Sequence, residues 1–145
     1  MELLNYEVLK KSGYEGYVLE SAPETVMQFG EGNFLRAFVD YWFDVANEKA
    51  GWNGKCVLVQ PIPQGLTDMI NAQEGLYTLY LRGRENGEKV DRKRVISSVS
   101  RCVNPYEKEG FDAMMELAVS ADLEYIVSNT TEAGIVYDPE CRMED

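Results

Sequence analysis

Two short stretches carry the residues that could do chemistry. The first is Phe29-Gly-Glu-Gly-Asn-Phe-Leu-Arg-Ala-Phe38, with two glycines one residue apart. The second is Ser128-Asn-Thr-Thr-Glu132, a run of hydroxyls, an amide and a carboxylate. A G-x-G-x-x-G turn lets a strand pass tightly into a helix, and its second glycine lets a pyrophosphate reach the backbone. Gly30 and Gly32 fill the first two positions, and Leu35 stands at the third. The incomplete pattern fits a dinucleotide turn, and it also fits a strand-to-helix corner that binds nothing. Gln60 closes a later apolar run, where dinucleotide folds usually place an acid against the adenosine ribose. Glutamine can accept and donate hydrogen bonds there without repelling a 2′-phosphate, so this pattern leaves NAD and NADP both open. Ser128, Asn129, Thr130 and Thr131 could line a ligand cleft or simply cap a helix start.

What is missing narrows the chemistry. The chain of 145 residues contains no histidine, which removes a histidine base, a Ser-His-Asp triad and the usual zinc ligands from these residues. The lysines, Lys10, Lys11, Lys49, Lys55, Lys89, Lys93 and Lys108, fall in stretches that read as solvated surface. No catalytic residue and no metal site is therefore expected in this chain. Cys56, Cys102 and Cys141 are odd in number, widely spaced and outside any CxxC pattern, so they read as reduced thiols. No apolar run reaches membrane-spanning length, and the N-terminus carries no signal-peptide pattern. A cytoplasmic protein is expected. A net charge of −11 makes nucleic acid and anionic membrane surfaces poor partners. A small anion could still bind locally through backbone N–H groups.

The elements that must position these residues follow from pattern. Glu24–Phe29 is β-branched and apolar and stops at Gly30, which predicts a strand. Asn33 to about Ala50 shows helical spacing in two rows. One contains Phe34, Phe38, Tyr41, Trp42 and Val45, the other Leu35, Val39 and Ala46. A largely buried helix is expected, with Gly51 as its stop. Cys56–Gln60 reads as a buried parallel strand closed by Pro61 and Pro63. Leu66, Met69 and Ile70 suggest a short helix. Tyr77–Arg82 alternates like a strand, and Asn86-Gly87 predicts a type I′ hairpin whose second arm runs through Val90 toward Val103. Phe111 to Ala121 gives another helix and Leu123–Val127 another strand. Met1–Glu24 has no clear period. Strands alternating with helices predict an α/β fold: a Rossmann-type, mostly parallel sheet with flanking helices and an inserted β-hairpin.

Residues 29–37 resemble the G-x-G-N-F-x-R-A turn of the mannitol dehydrogenase family of long-chain polyol and sugar-acid dehydrogenases. Ser128-Asn-Thr-Thr-Glu-Ala-Gly-Ile135, Gln73-Glu-Gly-Leu-Tyr77 and Val57-Leu-Val-Gln-Pro61 are similar to the branch of that family that interconverts D-tagaturonate and D-altronate. The resemblance runs from about Thr25 to Tyr137. It implies an NAD-dependent oxidoreductase of hexuronate breakdown, with a fructuronate or mannitol-type substrate as the alternative within the family. A non-catalytic nucleotide-binding module, or a structural α/β domain, is the alternative outside it. It further implies that Gly30 and Gly32 make the turn. Asn33 and Phe34 would face the pyrophosphate and nicotinamide side, and Gln60 the adenosine ribose. Ser128, Asn129, Thr130 and Thr131 would line the nicotinamide half of the cleft. Arg36 and Glu132 are substrate candidates, Arg36 equally a partner for an acid. By the resemblance, residues 1–145 correspond to an N-terminal Rossmann domain, and a helical catalytic domain belongs to later parts of such enzymes. The family's V-D-R-[IV]-x-[PS] signature has only a partial lookalike, Val90-Asp-Arg-Lys-Arg94, read here as chance. A sheet cut at this point would leave a strand edge and apolar helix faces open to self-association.

Overall fold

The computed structural model describes residues 2–130 and 135–142. Its centre is a four-stranded sheet. Strand β1 (Glu24–Phe29) pairs in parallel with β2 (Lys55–Val59) on one side and β6 (Tyr125–Ser128) on the other, and β2 pairs in parallel with β5 (Val99–Val103). The order is β5-β2-β1-β6. Helix α2 (Asn33–Ala50) links β1 to β2, and α4 (Lys108–Ala118) links β5 to β6. Between β2 and β5 lie α3 (Thr67–Ala72) and a separate antiparallel hairpin, β3 (Tyr77–Glu85) with β4 (Glu88–Ile96). The Rossmann-type fold, the inserted hairpin and the helix stop at Gly51 all agree with the sequence pattern. Gly51 takes φ 66°, and Asn86 and Gly87 take φ 52° and 88°, as a type I′ turn requires.

Alternation along the strands divides the core in two. Val26, Cys56, Leu58, Val99 and Cys102 point to one face, where Ile70 of α3 and Phe43 of α2 pack on them. Met27, Val57, Val59 and Val103 point to the other, against Leu117 and Met114 of α4. Side chains that alternate faces and are buried on both give the continuous apolar run of β2. The unclassified N-terminal segment forms α1 (Tyr6–Lys11) and covers the base of the hairpin, with Leu9 packed on Leu76 and Val95.

Four expectations are corrected. The hairpin's second arm does not run on to Val103: it ends at Ile96, and β5 belongs to the main sheet. The switch is made at Ser97 and Ser98. Ser97 donates from N and Oγ to Asp44 Oδ1 at 2.8 and 3.0 Å, and Ser98 Oγ donates to Asp40 O at 2.7 Å. These bonds to α2 pull the chain from one sheet into the other. Next, α2 does not bury its aromatic row: Phe34, Phe38 and Trp42 are 60%, 54% and 55% exposed, while Asp40, Asp44 and Asn47 face inward. Lys55 is not surface. It is 4% exposed and donates to Tyr6 Oη at 2.9 Å and to Glu20 O at 3.2 Å. Finally, α4 ends before Ala121, and its Phe111 and Met115 are exposed. The Val90–Arg94 lookalike lies inside β4, far in topology from the glycine turn.

Candidate nucleotide site at the carboxyl edge of the sheet

The chain leaves β1 toward β2 on one side and returns through α4 to β6 on the other side of β1. Such a reversal opens a crevice beyond the carboxyl ends of the strands. The glycine turn follows β1 at that point, and Ser128, at the end of β6, is the register partner of Phe29.

The turn is held from below. Gly30 donates its N–H to Val59 O at 2.9 Å, which ties the turn to the end of β2. Gly30 has φ 124°, in the region that favours glycine, and a Cβ there would stand 2.9 Å from Leu35 Cδ1. Leu35 is 4% exposed. The glycine at the first position thus makes room for a leucine at the third, which explains how the fingerprint does without its last glycine. Gln28 Nε2 donates to Gly30 O at 3.2 Å and lies 3.5 Å from Asp40 Oδ2.

Arg36 folds back over the turn. Its Nε donates to Glu31 O and its Nη2 to Asn33 Oδ1, both at 2.8 Å, and its guanidinium sits 5.3 Å above the Tyr77 ring. Among the described residues Arg36 makes no ion pair with an acid; its bonds go to a carbonyl and an amide. Tyr77 donates its hydroxyl to Arg36 O at 2.6 Å and also comes within 3.4 Å of Asp40 Oδ2. The phenolic proton goes to the nearer oxygen, Arg36 O, and only weakly to the Asp40 carboxylate. Burial pushes Asp40 up to about 7, against the opposing effect of Gln28, Tyr77 and Arg36. Burial also drives the Tyr77 hydroxyl far above its ordinary range, with the Asp40 charge adding to it.

Gly32 differs from Gly30. Its backbone is ordinary, φ −69° and ψ 166°, and nothing lies within 4 Å of a Cβ built on it. The fold has no need of glycine there. What glycine provides is open approach to the first turn of α2, which has no side-chain cap and no acidic residue. Uncapped N–H groups at the start of an 18-residue helix attract an anion. These residues fit a dinucleotide pyrophosphate. Asn33 and Phe34 are exposed on the same first turn, Phe34 stacked on Phe38 at 5.7 Å.

Gln60 stands at the end of β2, but its amide is already used. Nε2 donates to Ile62 O at 2.7 Å and Pro63 O at 3.1 Å, and Oε1 accepts from Thr67 N at 3.3 Å and Thr67 Oγ1 at 2.8 Å. It shapes the β2–α3 loop, beside a groove of about 220 Å³ bounded by Gly65, Thr67, Asp68, Asn104 and Glu107. Ser128, Asn129 and Thr130 are exposed at the end of β6. Thr131 and Glu132 lie outside the described residues. The sequence pattern does not point to Asn104, because it runs the hairpin's second arm on through β5. It passes over Asp40 and Tyr77 as well: only the Gln73–Tyr77 motif points at Tyr77, with no role attached.

A parallel sheet ordered third, second, first, fourth, with a glycine turn and an open helix start at its switch point, is a Rossmann-type domain. Residues 24–142 match the mannitol dehydrogenase Rossmann domain, and the chain belongs to that family. It is 48% identical over 123 residues to an altronate oxidoreductase of Bacteroides thetaiotaomicron, covering 85% of this chain and 25% of the relative. It is 43% identical over 145 residues to an altronate oxidoreductase of Phocaeicola vulgatus, covering 100% of this chain and 28% of the relative. The chain thus spans about a quarter of the length of these relatives. Among solved structures, it is similar to Pseudomonas fluorescens mannitol 2-dehydrogenase in a ternary complex with NAD and D-mannitol. The TM-score is 0.72 at 25% identity, over 90% of this chain and 27% of that one. D-sorbitol dehydrogenase in substrate-free form shares the fold, with TM-score 0.67 at 19% identity, over 91% of this chain and 28% of that one.

Proposed function

We propose that this chain is the nicotinamide dinucleotide-binding part of an NAD-dependent oxidoreductase that interconverts D-tagaturonate and D-altronate. Residues 1–145 act as its Rossmann domain, and a further helical domain of the same enzyme supplies the base and most of the substrate site. The observation that carries the reading is Gly32: a glycine the fold does not require, at the uncapped start of α2, beside the switch point of the sheet. The relatives named altronate oxidoreductase support the sugar acid, as does the run Ser128–Ile135.

When bound, the nicotinamide supplies hydride transfer. The chain's own part is binding and orientation. The first-turn N–H groups of α2 receive the pyrophosphate, and Gly32 keeps their approach clear. Arg36 and Tyr77 hold the turn rigid from behind. Ser128, Asn129 and Thr130, exposed at the end of β6, are assigned to the nicotinamide half, and the resemblance would add Thr131 to that half and Glu132 to the substrate side. No helix among the described residues is long and apolar enough to cross a membrane, which suits work on a soluble sugar acid.

The test is titration of the chain with NADH, following energy transfer from Trp42 and Trp52 to the nicotinamide. Saturable binding is expected, weakened at least tenfold by Gly32→Ala while the melting temperature stays unchanged. A folded chain that binds no NADH, or a Gly32→Ala variant that binds as well as wild type, overturns the reading.

A further inference from the structure

The end of β2 lacks the acid that normally meets the adenosine ribose, and Gln60, in its place, has no free amide atom. A carboxylate is nevertheless there. Glu31, between the two glycines of the turn, is only 7% exposed. Its side chain reaches across to the β2–α3 loop: a Cβ on Gly65 would stand 2.5 Å from Glu31 Oε1 and 2.4 Å from Gln60 Cδ. Among the described residues, no hydrogen bond or ion pair reaches that carboxylate. Its oxygens are not among the fully buried unpartnered atoms, so they reach the surface beside Gly65 while the rest of the side chain is covered. The described residues offer Glu31 no donor, which leaves its acceptors for a ligand that brings O–H donors.

Gly65 and Gln60, the neighbours of Glu31, line a groove of consistent charge. Its lining includes Asp68 and Glu107 and no lysine or arginine. A ribose with free 2′ and 3′ hydroxyls brings two donors to such a place. A ribose carrying a 2′-phosphate brings a dianion and meets only like charge. We propose that Glu31, reaching over from the glycine turn, takes the part of the missing β2 acid: it accepts from the adenosine ribose and selects NAD over NADP. This rests on the nucleotide-binding reading above and goes beyond it in naming the selecting residue.

The experiment compares NADH and NADPH affinities, by the same energy transfer, for wild type, Glu31→Gln, Asp68→Asn and Gly32→Ala. Wild type is expected to prefer NADH. Glu31→Gln keeps the size of the side chain and removes the charge, and should lower the NADH-to-NADPH affinity ratio about tenfold or more, as loss of a charged hydrogen-bond partner does. Glu31→Ala should act in the same direction and serves if the glutamine variant does not fold. Asp68→Asn, at the exposed rim, should change the ratio less. Gly32→Ala should weaken both nucleotides alike and leave the ratio unchanged. An unchanged ratio in both Glu31 variants, or a wild type that prefers NADPH, overturns the role of Glu31 while leaving nucleotide binding intact. If folded wild type binds neither nucleotide, the underlying reading fails, and this one with it.

Discussion

The two faces of α2 are opposite in character and are inverted relative to an ordinary surface helix. The inward face carries Asp40, Asp44 and Asn47, which are 0%, 0% and 6% exposed. The outward face carries Phe34, Phe38 and Trp42, all more than half exposed. Each inward polar residue is bonded to something that has to be held in place. Asp44 receives Ser97 and Arg94, whose Nε donates to Asp44 Oδ2 at 2.7 Å. Asn47 exchanges bonds with Gly54, its Nδ2 donating to Gly54 O at 2.9 Å and its Oδ1 accepting from Gly54 N at 3.0 Å. Asp40 sits under the glycine turn, beside Gln28 and Tyr77. The buried face of α2 therefore works by specific bonds to loops, the hairpin and the turn, while Leu35 and Phe43 supply the apolar packing. Buried polar groups weaken a fold when unpaired and specify it when paired.

The largest effect should come from breaking the inward face at Asp44. Asp44→Ala would leave the Ser97 N–H and part of the Arg94 guanidinium without a partner in a buried place. A loss of about 3 kcal/mol is expected, for buried donors left unpaired and a charge that keeps only Glu48 as partner, read by urea denaturation. A loss below 1 kcal/mol would show that the Asp44 bonds contribute little. Asn47→Ala comes next. It removes both bonds to Gly54 and should cost about 1–3 kcal/mol, measured in the same way.

Asp40 tests the same face through pH. Its folded pKa, about 7, lies above the ordinary carboxyl value of 3.8. Below pH 3.8 folded and unfolded chains both hold the proton. Between about 4 and 7 only the folded chain keeps it, so rising pH removes stability through that window, and above 7 the loss is complete. Asp40→Asn removes the titration and keeps the size of the side chain. The variant should gain on wild type from pH 4 to 7 and stay ahead by at least about 1 kcal/mol at pH 8. Parallel melting temperatures from pH 4 to 8 would show that Asp40 does not titrate in that range.

The difference between the faces also explains what could be read from sequence. β1, the glycine turn and the length of α2 were legible, because a β-branched run, glycine and a 3.6 period are local signals. The direction in which the period faces is not local. Phe34, Phe38 and Trp42 form a stripe on any helix, and only partners far along the chain, such as Ser97 and Gly54, show that the opposite stripe is the buried one. The break between β4 and β5 was hidden for the same reason: Ser97 and Ser98 look like two ordinary strand residues until Asp44 and Asp40 are placed above them. Gln60 was rightly located at the end of β2. That its amide would close on Ile62, Pro63 and Thr67 depended on a loop conformation that no periodicity encodes. Lys55 was misread because burial of a lysine depends on the N-terminal segment, whose Tyr6 and Glu20 meet it from outside the sheet.

The smallest effect on stability should come from the outward face, and it sharpens the comparison most. Phe38 stacks on Phe34 and is more than half exposed, so Phe38→Ser should change unfolding free energy by no more than about 0.5 kcal/mol, the range of ordinary surface substitutions. Its effect should appear in association. Phe34, Phe38 and Trp42 follow one another at four-residue spacing along α2, and a contiguous apolar stripe of this kind favours contact between molecules. Sedimentation velocity across a range of concentrations should show wild type shifting to larger species, and the Phe34→Ser, Phe38→Ser, Trp42→Ser variant remaining at the sedimentation coefficient of a monomer. If the triple variant instead loses several kcal/mol of stability with no change in association, the outward face contributes to the fold itself, and the contrast between the two faces of α2 fails.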